Sequence, residues 1–189
     1  MNTQTHILVS AALFAQPGAT GRNIAAVAGA VLPDVSIYAM YGWAKLSGAS
    51  EFAIWREMHF SAFWQDFAAA TNSIPIYGAL LLVGLVNLWP VVSVFALSCL
   101  VHIALDLPFH HSDAHRNFWP LSDWRFESPV SYWEPARWGE WVSLGEVALG
   151  FALVIVLWRR FQSRWVRGSL VAALAAYAVV PLHWSAAFA

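Results

Sequence analysis

The sequence predicts an all-α protein, a polytopic transmembrane helical bundle, and three observations carry that prediction. Hydrophobic residues make up 59% of the 189 residues and charged residues only 11%, a balance too apolar for a domain whose solvent is water. Mean hydropathy is +0.55. Apolar runs recur near the length a bilayer demands, about 20 helical residues.

Six hydrophobic segments satisfy that reading: residues 6–16, 24–42, 74–89, 91–107, 141–158 and 167–183. The first is too short to span alone, and only Asn87, Trp89 and Pro90 break the third from the fourth. Four to six spans are therefore consistent with the pattern, with six the best count. The first segment imitates a signal sequence without the positively charged start, so it is expected to stay in the protein. Residues 43–73 and 108–139 form two longer connections, rich in Trp, Phe and Tyr, as suits chain lying along a membrane interface. No linker or repeat divides the chain, so residues 1–189 read as one integral membrane domain.

Arg159, Arg160, Arg164 and Arg167 share one short connection without an acid, which marks the cytoplasmic side, and Arg22 agrees. Lys45, Arg56, Arg116, Arg125 and Arg137 are diluted over the two long connections, which places those on the non-cytoplasmic side. Threaded through six spans, His6, His59, His102, His110, His111, His115 and His183 all reach non-cytoplasmic ends. A net charge of -1 gives no footprint for nucleic acid. Cys99 is the only cysteine, which excludes a disulfide or Cys-based metal site within one chain.

The residues that promise chemistry are polar groups in apolar surroundings. Asp34 follows Pro33 inside a predicted span, where a charge costs about 2.5–3.5 kcal/mol on insertion scales. It either caps the helix resuming after Pro33 or serves a site. His102 and Asp106 at i, i+4 share one helix face, able to chelate a cation or merely to hydrogen-bond each other. His110, His111, Asp113 and His115 follow closely, a donor set suited to zinc or manganese. His59 and His6 gain weight only from this company. Trp119, Trp124, Trp133, Trp138 and Trp141 read first as interface anchors. Arg116 and Arg125 are either anion clamps or partners of Asp123 and Glu127. No serine-hydrolase elbow, His-Glu-X-X-His, Walker loop or dinucleotide fingerprint occurs.

Together, Thr5-His6, Gly29 to Asp34, Arg56 to Ser61, and His102 with Asp106 resemble the membrane-bound metal-dependent hydrolases, also called the YdjM-like or LexA-binding inner-membrane family. Phe118 to Ser122 and Ser128 to Trp133 resemble one branch of it, and the resemblance spans most of residues 1–139. That family is itself remotely similar to the all-helical zinc-dependent phospholipase C and single-strand nuclease fold. The resemblance implies a metal held by Asp34, His59, His102 and Asp106, with a neighbouring one held by His6 and a bridging Asp106. His110 or His111 would begin a third site, for which only His115, Glu140 and Glu146 remain as further ligands. Ser36 stands where the family often carries a second Asp, and the free amine that ligates metal in the soluble enzymes has no clear counterpart.

The expectation is thus an enzyme, a zinc-type hydrolase with manganese the other metal, in the inner (cytoplasmic) membrane of a prokaryote. It would act on a phosphoester or lipid at the outer face. Asp34 and Asp106 would serve the reaction, Arg116 would hold phosphoryl oxygens, and His6, Asp34, His59, His102, Asp106, His110, His111 and His115 would surround metal. The alternative is a non-catalytic membrane protein that binds metal or a partner protein; a third reading makes the polar groups hydrogen-bonded glue between helices. Oligomeric state is not legible.

Overall fold

The computed structural model describes the backbone of residues 1–187 and side chains as far as Val179, and among these residues every regular element is helical. The chain runs through α1 (Thr3–Phe14), α2 (Thr20–Val31), α3 (Val35–Leu46), the short α4 (Glu51–Ala53), α5 (Ala62–Thr71) and α6 (Ile74–Val86), then α7 (Pro90–Asp106), α8 (Gly139–Arg160) and α9 (Arg164–Ala187). Among the described residues, four stretches are long and apolar enough to cross a bilayer: Thr20–Leu46, Ala62–Val86, Pro90–Phe109 and Gly139–Arg160. Their outer surfaces are apolar too, with Leu82, Phe151 and Ile155 all exposed, so lipid rather than water is the solvent these helices fit.

The count of four differs from the predicted six for identifiable reasons. The first segment is α1, 12 residues long and about 18 Å at 1.5 Å per residue, too short to span. The sixth lies in α9, whose last side chains, His183 included, fall outside those described. The second segment is two helices joined by a 3₁₀ turn at Leu32–Asp34, with Pro33 forcing the change of pitch. Residues 62–73, read from sequence as surface connection, are mostly α5 running almost directly into α6. Gln65 and Asp66 break its apolar run, which hid the helix from a hydropathy reading.

The helices that matter to the site meet closely. A Cβ added to Gly29 of α2 would lie 2.4 Å from the Phe95 carbonyl oxygen and 2.8 Å from Ser98 Cβ, so only glycine allows this approach of α2 to α7. Ser98 Oγ then donates to the Ala26 carbonyl across the same seam at 2.6 Å. Residues 108–139 are largely irregular but pinned down. The Ser128 amide donates to the His110 carbonyl and the Tyr132 amide to the Phe109 carbonyl, both at 2.9 Å, while the Ile74 amide donates to the Asn117 carbonyl at 2.8 Å. α2 and α7 run parallel and α1 antiparallel to both, which brings the start of α1, the end of α2 and the end of α7 to one end of the bundle.

Candidate metal centre

At that end His6, His102 and Asp106 form a buried group whose ligand atoms all lie within 4.8 Å of one another. His6 and His102 are wholly buried and Asp106 is 4% exposed. The two imidazoles stack, centroids 3.5 Å apart at an interplanar angle of 11°. His6 comes from the second turn of α1, while His102 and Asp106 lie one turn apart on the last turns of α7.

The orientation of the His102 ring is fixed by its neighbour. Its Nδ1 lies 2.7 Å from the Ala30 carbonyl oxygen, which can only accept, so Nδ1 carries the proton and donates. Nε2 is then the ring nitrogen left free of the backbone. It faces carboxylate oxygens on two sides, Asp106 Oδ2 at 3.0 Å and Asp34 Oδ1 at 3.5 Å. His6 Nε2 lies 3.0 Å from Asp106 Oδ1, and His110 Nε2 lies 3.4 Å from the same oxygen. Despite these approaches, neither ring nitrogen of His6 nor His102 Nε2 has a hydrogen-bond partner of acceptable angle. Ligands about 2.0–2.1 Å from a tetrahedral zinc sit about 3.3–3.4 Å from each other, close to the spacings seen here. Imidazole nitrogens and carboxylate oxygens gathered at ligand spacing fit a divalent cation.

Asp34 is held from its other oxygen: Thr3 Oγ1 donates to Oδ2 at 2.5 Å, and Tyr38 donates to Thr3 Oγ1 at 2.7 Å. It makes no cap bond to α3, so the capping alternative is not the one the fold adopts. Asp106 Oδ1 also receives the amino group of Met1, which lies 3.4 Å from His110 Nε2.

The remaining predicted ligands divide. His110 and His115 lie beside the group, ring centroids 5.2 Å apart, and line with Asp106, Leu107, Ala114, Asn117 and Phe126 a cleft that reaches the carboxylate. Burial disfavours a charged His110, but Asp106 and Asp113 outweigh it and lift its pKa to about 9. Burial and the nearby His110 push His115 down to about 4. Asp113 resists burial through its contact with His110, at 3.0 Å, and falls to about 2. His59 opens with His115 onto a second cleft lined by Ser36, Met40 and Trp64, and burial lowers its pKa. His59 and His115 therefore present neutral imidazoles at neutral pH. His111 instead binds the connection itself, its Nδ1 at 2.8 Å from the Ser128 carbonyl.

Arg116 is bound to acids, Asp66 at 2.5 Å and Asp123 at 3.0 Å, and Arg125 holds the Ala114 carbonyl and Gln65 Oε1. Trp124, Trp133, Trp138 and Trp141 are exposed as interface anchors would be, and Trp133 also donates to Asp113 Oδ2 at 3.0 Å. Glu140 and Glu146, weighed from sequence as ligands of a third metal, make no part of the His6–His102–Asp106 group. The contact partners of Asp34, Thr3 and Tyr38, had no local signal in the sequence. Comparison with protein-family models, with curated proteins and with solved structures gave no match.

Proposed function

We propose that this chain is a membrane-bound metal-dependent hydrolase, with zinc the first choice of metal and manganese the second, acting on a phosphoester at the outer face of a prokaryotic inner membrane. The observation that carries the metal is the convergence of His102 Nε2, Asp34 and Asp106, with the ring held in place by its Nδ1 bond to Ala30. His6, His102, Asp106 and Asp34 would hold a first cation. Asp106 would bridge toward a second position on the side of His110 and His115. A divalent cation there supplies Lewis acidity and a water acidified toward neutral pH. The protein's own part is orientation: Ala30 sets the His102 ring, Thr3 turns Asp34, and the dry helix ends strengthen every charge interaction at the site.

The cleft at Asp106 and His110 has room for little more than a water, so hydrolysis is proposed on the resemblance in residues 1–139. A phosphoester is proposed on the resemblance in residues 1–139, and lipid or lipid-linked versions of it on the apolar surroundings. The near-complete burial of His6, His102 and Asp106 favours the second reading, a closed, non-catalytic metal site.

Elemental analysis of detergent-purified protein after a gentle chelator wash tests the metal. About one to three zinc or manganese ions per chain, absent from a His102→Ala, Asp106→Ala double variant, is the expected result. Folded wild type that fails to take up either metal refutes the reading. Metal-loaded protein that leaves bis(p-nitrophenyl) phosphate intact, along with phospholipid vesicles, selects the non-catalytic site.

A further inference from the structure

Helix α1 is too short to span and carries a ligand, so something must fix its depth and rotation. Glu146, on the third turn of α8, is a carboxylate within a membrane-spanning helix and only 2% exposed, a placement that is costly without compensation. Among the described residues, its hydrogen bonds all go to the start of α1. Oε1 accepts from the Asn2 amide at 2.6 Å and from Thr5 Oγ1 at 2.6 Å, and Oε2 accepts from Asn2 Nδ2 at 2.9 Å. Thr5 Oγ1 also meets the Tyr177 hydroxyl at 2.6 Å, where Gly150 leaves room for the ring.

The same helix holds the other end of α1. Arg160 Nη1 donates to the Ala12 carbonyl at 2.7 Å, to Ala15 at 3.0 Å and to Ala11 at 3.3 Å. Glu146 and Arg160 are about 21 Å apart along α8 at 1.5 Å per residue, enough to bracket a 12-residue helix. An acid at the N-terminus and a base at the C-terminus also match the helix dipole of α1. Residues 5 and 6 point to different sides of α1, so bonding Thr5 to α8 sets His6 toward α7 and its stack on His102.

We infer that Glu146 is a positioning residue of the metal centre, which seats α1 so that His6 reaches the ligand position beside Asp106. This rests on the metal reading above. Glu146 touches neither the cation position nor a substrate; it acts through His6.

The test is a double-mutant cycle on zinc affinity, measured by competition with a chromophoric chelator on detergent-purified protein. Glu146→Ala is expected to weaken zinc about 10- to 100-fold, the usual loss when a ligand's support is removed. In a His6→Ala background the same change is expected to weaken it less than about threefold, because the ligand it positions is already gone. A merely structural role would lower affinity equally in both backgrounds, and that result overturns the inference. Glu146→Gln preserves the shape and one acceptor, and is expected to fall between. It is read in the same cycle if the alanine variant loses its monodisperse elution. Zinc bound by both variants as tightly as by wild type overturns the inference and leaves the metal centre standing. Failure of wild type to bind zinc overturns both.

Discussion

Replacing Asp106 with Asn changes one charge and almost no volume at the point where most of the cluster converges. Its two oxygens lie 3.0 Å from His6 Nε2, 3.0 Å from His102 Nε2 and 3.4 Å from His110 Nε2. An amide presents one oxygen, and its NH₂ must face one of those nitrogens. As a ligand, Asp106 is one of four about the first cation position. Structural zinc sites bind with about 10–16 kcal/mol, so an equal share is about 3 kcal/mol. That corresponds to roughly a 100-fold loss of zinc affinity, with a larger effect where Asp106 serves two cations. As helix glue the same residue predicts something different. Asn would donate to a histidine lone pair, and the apo protein would be about as stable as before, with no zinc dependence in either form. The assay is chelator competition for zinc beside thermal unfolding with and without the metal. Zinc should raise the wild-type unfolding temperature and leave the variant little changed. Affinity in Asp106→Asn within about threefold of wild type would refute the reasoning that the carboxylate is a ligand.

Four further outcomes follow from the same geometry. Gly29→Ala places a methyl 2.4 Å from the Phe95 carbonyl oxygen, so it should destabilise the protein by about 1–3 kcal/mol and weaken zinc by parting α2, with Asp34 beyond it, from α7. Thermal unfolding and zinc titration read both effects. Arg116→Ala removes ion pairs to Asp66 and Asp123, which are 64% and 80% exposed, so it should cost less than about 1 kcal/mol and leave zinc affinity unchanged. Tyr177→Phe deletes one hydrogen bond to Thr5, which keeps its bond to Glu146, and should lower stability by about 0.5–1.5 kcal/mol in a chemical unfolding curve. Lowering the pH from about 7.5 to 5.5 should weaken zinc binding, because protons compete for the same imidazole lone pairs, and zinc uptake should release protons in calorimetry run in two buffers.

Composition and hydropathy were sufficient for the class of the fold, since a bilayer requires apolar runs of a minimum length and those are visible residue by residue. They were less able to count helices. Residues 62–73 defeat a window because Gln65 and Asp66 interrupt hydropathy without ending the membrane-spanning stretch. The His102–Asp106 pair was legible for a related reason. Both residues sit on one helix at i, i+4, so their proximity is a property of local geometry, and charge in an apolar run marks them out.

What the sequence alone determined is therefore local: a membrane protein of helices, and a short roster of polar residues that such a protein rarely carries without use. What only the tertiary structure decided is which of them meet. His6 joins His102 across about half the chain, Ala30 holds the His102 ring by Nδ1, and Glu146 turns from a spare ligand into an anchor for α1. Each of these contacts joins residues on different helices. Their separation depends on how α1, α2, α7 and α8 pack, down to the absence of a Cβ at Gly29, and no period in a single chain encodes a distance between two helices.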